Sequence, residues 1–265
     1  VIERVRLGRT ELEVGRIGLG GGNEIAAADV EYAVDRGINY LFTSCDLHAG
    51  SYGHSYEAIR RLCGRGAKRR DDVVLAACSY VNDPGKLFAV LLDQIASLGV
   101  DYVDVFQWGW MTKFQSPHIA LEATDRVLRS ETSRAFVDSV VSVTRQVGDE
   151  LYRRGYARHI GVSTHDRALA RALIGHPSLD VLMVRYNRAH PGAEEDIFPF
   201  LGDRPPGIVA FSTAYDPSRR ARDPDELSDR YRFALRRPEI DVVLTGPTCR
   251  ADIDAALAAL EPVRA

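Results

Sequence analysis

The sequence predicts an α/β chain folded as a closed (β/α)8 barrel of the TIM type, with an N-terminal β-hairpin, over residues 1–265 as one domain. Two observations carry this. Eight short runs rich in Val, Ile, Leu, Phe and Tyr recur along the chain, separated by stretches with helical spacing or helix punctuation. The alternation reaches the C-terminus without a linker, a repeat or a low-complexity segment, and the chain has 265 residues. A closed barrel of this kind needs roughly 250.

Taken in order, Val5–Val14 alternates and is broken at Gly8, the pattern of a hairpin. Barrel strands are expected at Arg16–Gly20, Tyr40–Ser44, Val73–Cys78, Tyr102–Trp108, His159–Ser163, Val181–Tyr186, Ile208–Ser212 and Val242–Thr245. Asp83 can cap a helix with Pro84 in its first turn, Leu87, Leu91, Ile95 and Leu98 on one face, and Gly99 at its end. Ser133–Arg154 reads as a longer helix ended by Gly155, and Asp166 caps one that stops at Gly175. Thr112–Thr132 is long for a loop and holds Ile119, Leu121, Val127 and Leu128 at helix-like spacing. Leaving a strand's C-terminal end, it suits a lid, an oligomer contact or a packed surface helix.

Composition narrows the classes. Hydrophobic residues make up 45% and charged residues 27%, enough for a large core, and a net charge of −3 gives no attraction to nucleic acid or an anionic membrane. No apolar run approaches the ~20 residues of a membrane span, and the first residues lack a signal-peptide pattern. Cys45, Cys63, Cys78 and Cys249 lack metal-finger spacing and read as reduced thiols. A cytoplasmic protein with a small-molecule ligand is expected, its oligomeric state left open.

Several segments together resemble the aldo-keto reductase superfamily. RLGRTELEVGRIGLGGG (Arg6–Gly22) is similar to its hairpin and first strand, DRGINYLFTS (Asp35–Ser44) to the second, RDDVVLA (Arg70–Ala76) to the third and SLGVDYVDVFQWGW (Ser97–Trp110) to the fourth. RRGYARHIGVST (Arg153–Thr164), VLMVRYN (Val181–Asn187), GIVAFS (Gly207–Ser212) and VVLTGPT (Val242–Thr248) resemble the last four in order. The likeness covers almost the whole chain. It implies carbonyl reduction with NADPH, using a tyrosine acid, a lysine that lowers its pKa, an aspartate paired with that lysine, and a histidine.

Laid on the family's motifs, Phe42 stands at the aspartate, Cys78 at the lysine, Gly109 at the histidine and Leu47 at the tyrosine. The run YGHSYE resembles the family's YG-x-S-x-E segment after an insertion, which makes Tyr52 a displaced acid. With no cation beside it, its phenol is expected near ~10. Among the implied cofactor contacts, Ser163 is kept and Phe211 keeps an aromatic, while Thr164, Met183, Ala256 and Asp252 replace the usual donors. Thr248 and Arg250 remain as phosphate contacts, and Arg219, Arg220 and Arg222 are either further contacts or a solvated loop. The resemblance with these departures implies lost hydride transfer and no cofactor, with NADP as the alternative.

Other residues offer different chemistry. Arg185 lies two beyond Met183 and shares its inward face. A guanidinium there needs a partner, either Asp46 or the carboxylate or phosphate of a substrate. His165 and His48, at strand ends, suit proton shuttles, and His165 also suits a packing role before its helix. Cys45, Cys78 and His48 come from adjacent strand ends, but their spacing is not that of a metal site, and no metal is expected. Tyr80, Trp110 and Tyr215 would form an aromatic wall, with Asn187 at the end of the sixth strand.

Three readings follow. The first is proton-transfer chemistry (elimination, isomerisation or cyclisation) on a small anionic molecule, with His165, His48 or Tyr52 moving protons, Asp46 beside them and Arg185 placing the anion. The second keeps NADPH-dependent carbonyl reduction with Tyr52 as acid. The third is a non-catalytic binding or scaffolding subunit.

Overall fold

The hairpin forms first: β1 (Arg4–Arg6) and β2 (Glu13–Gly15) pair antiparallel, with Val5 opposite Val14. The structure, a computed structural model, describes residues 2–20, 24–44, 46, 49–81, 84–109, 142, 146, 148–218, 221 and 223–262. Cys45, Leu47, His48, Asp83, Trp110, Thr112–Thr132, most of Ser133–Arg154, and Arg219, Arg220 and Arg222 lie outside the described residues.

Eight parallel strands close the barrel in the order expected: β3 (Ile17–Gly20), β4 (Tyr40–Thr43), β5 (Val74–Ser79), β6 (Val103–Trp108), β7 (Ala157–Thr164), β8 (Val181–Arg185), β9 (Gly207–Phe211) and β10 (Val242–Thr245), with β10 returning to β3. Around it run α1 (Ala27–Asp35), α2 (Ala49–Cys63), α3 (Pro84–Leu98), α4 (Arg167–Ile174), α5 (Ala193–Asp196), α6 (Pro224–Leu235) and α7 (Arg250–Ala258). Strands in such a barrel are buried on both faces, so they read as unbroken apolar runs, and β4, β5 and β6 are buried at every position. Tyr40, Phe42, Cys78, Val105 and Met183 point into the barrel, and Leu41, Leu75, Phe106 and Leu182 point out against the helices.

Most strand boundaries shift by a residue or two from expectation, and two of the shifts have a visible cause. β7 begins at Ala157 rather than His159, because Val103 pairs with Ala157 although Arg158 and His159 are polar. β5 runs on to Ser79, which pairs with Trp108. Punctuation behaves as read: the Asp166 carboxylate accepts the Leu169 amide at 3.0 Å, and Gly99 ends α3 at φ +67°. Asp223 caps α6 in the same way, with Pro224 in the first turn.

The hairpin plugs the N-terminal end of the barrel. Leu7 and Val14 join the inner cluster, and Gly8 crosses the backbone of Pro206 and Gly207 at φ +50°. A Cβ at Gly8 would collide with that backbone. Gly8→Ala is therefore expected to destabilise the protein by roughly 1–3 kcal/mol, read as a lower denaturant midpoint at unchanged slope.

A strut ties β5, β6 and β7 together at the same end. The Asp104 carboxylate, 3% exposed, accepts the Arg70 guanidinium at 2.8 Å and the Leu75 amide at 2.8 Å, with Arg158 at 3.4 Å. The Tyr102 ring lies near both arginines, 4.0 Å from Arg70 and 4.2 Å from Arg158. No helix among the described residues is long and apolar enough to cross a membrane.

Candidate active site

In a parallel barrel the strands' C-terminal ends form the mouth, where neighbouring side chains converge. Residues two apart share a face, so Phe42, Cys78 and Met183 continue the inner wall to this end, followed by Tyr80 after β5 and Arg185 at the end of β8. Tyr52, on the first turns of α2, leans into the same apolar cluster, its ring edge-on to Phe42 with centroids 5.9 Å apart.

Gly109 follows β6 directly, its amide bonded to the Ser79 carbonyl at 2.7 Å. A Cβ there would come within 2.6 Å of both the Cys78 sulfur and the Tyr80 ring. The glycine leaves room for Tyr80. That ring's hydroxyl reaches 3.5 Å from the Tyr52 hydroxyl. Asp46 fixes the backbone beneath: its carboxylate accepts the Tyr80 amide at 2.9 Å and the Ser44 hydroxyl at 2.9 Å. Burial pushes the Tyr52 phenol up to about 12, above the ordinary value expected of it, and raises Tyr80 and Cys78 well above theirs. All three are protonated at neutral pH.

The other wall is formed at the ends of β7, β8 and β9, which follow β6 round the ring. Arg185 is half-buried and pairs in register with Phe211. His165, 7% exposed, packs edge-on to Phe211 with centroids 4.8 Å apart. Burial, then the positive charge of Arg185 and the nearby His190, push its imidazole down to about 3. It is therefore neutral at pH 7 and not poised near neutrality, as an exposed histidine would be.

Asn187 is held inside this wall. Its amide nitrogen donates to the Ser212 carbonyl at 2.8 Å, and its oxygen accepts the His190 amide at 2.9 Å. Ser212 sits at φ +53°, an uncommon conformation for a residue with a side chain, directly beyond Phe211. Tyr215 is 52% exposed beside His190.

The site therefore gathers Tyr52, Tyr80 and Asp46 on one wall and His165, Arg185, Ser163 and Phe211 on the other. Thr248 and Arg250 lie apart, at the start of α7. Both donors of Thr248 go to Asp252 at 2.8 Å, and Arg250 pairs with Asp29 at 2.7 Å. Sequence reasoning missed two inward polar groups below the mouth: the Tyr40 hydroxyl and the Gln107 amide are buried without a hydrogen-bond partner among the described residues. Gln107 lies against Gly161 as Tyr80 lies against Gly109, a small residue making room for a neighbour's long one. No cluster that could hold a metal ion occurs among the described residues.

Comparison with known proteins gives the same fold. A family model described as the Aldo/keto reductase family matches residues 12–230. The aldo-keto reductase AKR11C1 from Bacillus halodurans, in its holo form, is 17% identical at a TM-score of 0.73, covering 99% of this chain and 92% of its own. PA4992 from Pseudomonas aeruginosa, assigned to the aldo-keto reductases, is 18% identical at a TM-score of 0.68, covering 97% and 95%. No curated protein matches the chain.

The holo form corrects one expectation, that no cofactor belongs to such a site: a barrel of this fold takes one. The substitutions at Phe42 and Cys78 lie on β4 and β5 and Gly109 follows β6, whereas Ser163 and Phe211 stand on β7 and β9. The residues present fit the ring end of a nicotinamide: Ser163 points into the mouth, and its hydroxyl makes no side-chain hydrogen bond among the described residues. Phe211, two strands on, offers a half-buried aromatic ring.

Proposed function

This chain belongs to the aldo/keto reductase family, and we propose that its barrel mouth moves a proton on a small anionic carbonyl compound. Tyr52 gives a proton, Arg185 holds the anionic group and His165 takes a proton. The observation that carries this is the pair of protonated phenols, Tyr52 and Tyr80, in an apolar pocket across the barrel from a guanidinium and a neutral imidazole. A half-buried cation attracts anions strongly where water is partly excluded. Binding an anion at Arg185 cancels part of the charge that depresses His165, so the imidazole becomes more basic with substrate in place.

The proton step balances within these groups. His165 removes a proton from the carbon beside the carbonyl, the electron pair moves to the oxygen, and the Tyr52 hydroxyl protonates that oxygen to an enol. The reverse transfer at another carbon completes an isomerisation, and loss of a leaving group completes an elimination.

A second reading, carbonyl reduction, is favoured by Ser163 and Phe211 on the inner wall. These residues would hold the nicotinamide, which supplies a hydride when bound. Tyr52 would again protonate the oxygen.

Incubating the protein with a panel of small keto acids in deuterated water, with and without NADPH, tests both. Deuterium entering beside the carbonyl without NADPH consumption supports proton transfer, and NADPH oxidation matched to carbonyl loss supports reduction. Neither event with any keto acid overturns the catalytic reading and leaves a binding or scaffolding subunit. In an active assay, Tyr52→Phe is expected to lower kcat by about 10²–10⁴-fold. Arg185→Met should chiefly raise KM for the anionic substrate and leave the melting temperature nearly unchanged. A large loss of stability would make Arg185 a structural residue instead, and Asp46→Asn shows whether Asp46 shares that role.

A further inference from the structure

Gly109 has no conformational reason to be glycine: its φ lies outside the left-handed region, and the atoms nearest its missing Cβ are the Cys78 sulfur and the Tyr80 ring. Its effect is to seat Tyr80. The ring crosses from the end of β5 to the end of β6, held below by Asp46 at the Tyr80 amide, and presents its hydroxyl to that of Tyr52.

We propose that Tyr80 is a positioning residue for Tyr52: its hydroxyl donates to the Tyr52 oxygen and stabilises the phenolate left when Tyr52 gives up its proton. The inference rests on the reading of Tyr52 as the proton donor. Such a site needs something to stabilise that phenolate, because burial alone makes the phenol a weaker acid. Tyr80 is the neighbour whose hydrogen bond acts in the opposite direction on Tyr52. Phe42 and Cys78, which also border Tyr52, carry no charge that could do so, the Asp46 carboxylate acts against its ionisation, and the Tyr80 hydroxyl is shared with the Cys78 sulfur.

At 3.5 Å the contact is long for two hydroxyls, whose bonds usually lie near 2.7–2.8 Å. A neutral pair at rest has little reason to close up. Negative charge on Tyr52 supplies one, since hydrogen bonds to an ionised oxygen are shorter and roughly twice as strong. The arrangement is thus worth more after proton transfer than before it, which is the condition for lowering a barrier. The proton moves from the Tyr52 hydroxyl to the substrate oxygen, Tyr80 keeps its own proton while donating it in a hydrogen bond, and the phenolate takes a proton back from oxygen when the carbonyl re-forms.

The test reads Tyr52 directly. A fluorinated tyrosine whose phenol ionises in the neutral range is incorporated at position 52, and its ionisation is followed by absorbance and fluorine NMR. Tyr80→Phe, which removes only the hydroxyl, is expected to make that phenol about tenfold less acidic, with an unchanged melting curve. Gly109→Ala displaces the ring and is expected to shift the ionisation in the same direction. If Tyr80→Phe leaves it unmoved, the proposal is overturned, whether or not Gly109→Ala folds. A shift without turnover of any keto acid would keep the pairing and remove the functional reading beneath it. Turnover that needs Tyr52 without such a shift would remove the pairing alone. Where turnover is measured, Tyr80→Phe should lower kcat about tenfold and leave KM unchanged.

Discussion

Asp104→Ala is expected to be the most damaging single change at the N-terminal end of the barrel, costing about 3–5 kcal/mol. The carboxylate is almost fully buried and makes two bonds of 2.8 Å, one to the guanidinium of Arg70 and one to the amide of Leu75. Its removal leaves a strand amide without an acceptor and a largely buried cation without its closest counter-charge. Asp104→Asn keeps one acceptor oxygen and should lose less. Arg70→Met removes the charge together with its partner's ion pair, and the double variant Asp104→Ala/Arg70→Met should recover part of the loss. Chemical denaturation reads all four proteins, and for a chain of this length the single alanine variant should melt roughly 10 °C lower. Additive losses in the double variant would show that Asp104 and Arg70 act independently.

The second large effect is on pH dependence. The His165 imidazole sits at about 3 in the folded protein against 6.5 for an unperturbed histidine. The unfolded chain therefore binds a proton between those values that the folded chain refuses, and the stabilising contribution present above pH 6.5 is lost as pH falls toward 3. Between pH 7 and pH 4.5 this amounts to about 2–3 kcal/mol for a group this buried.

Asp241 acts in the opposite sense. Burial raises its carboxyl from 3.8 to about 6 against the bonds it accepts from Ile208 and Gly8, so its contribution is largest at acid pH and falls as pH rises through 6. The two partly cancel in the whole protein. The difference between wild type and His165→Phe isolates the histidine: the variant's stability should fall less on acidification. Equal slopes for the two proteins between pH 7 and pH 4.5 would mean that His165 is not held neutral by burial.

The sequence alone determined the barrel. Parallel strands buried on both faces must be apolar throughout, so β3, β4 and β10 declare themselves in four residues each. Local hydrogen bonds made the helix ends legible, as at Asp166 and Gly99, because cap and helix are neighbours in the chain. Inward placement of Arg185 followed from the two-residue period of a strand. The strand β7 was clipped at its start because Arg158 and His159 look like loop, and only pairing with β6 shows otherwise.

Tertiary structure decided what the mouth contains. Gly109 read as an absent side chain, yet its volume is filled by Tyr80, 29 residues away in the chain and one strand over. Asn187 read as a strand-end contact, yet both ends of its amide are taken by Ser212 and His190. His165 read as a group tunable near neutrality until its burial beside Arg185 and Phe211 was known. The cofactor expectation summed the replaced donors Thr164, Met183, Ala256 and Asp252 along the sequence, and the holo form of a barrel of the same fold overturns it. Periodicity reports which face a residue occupies; which side chains meet there depends on register and reach between strands distant in the chain, and local pattern does not encode that.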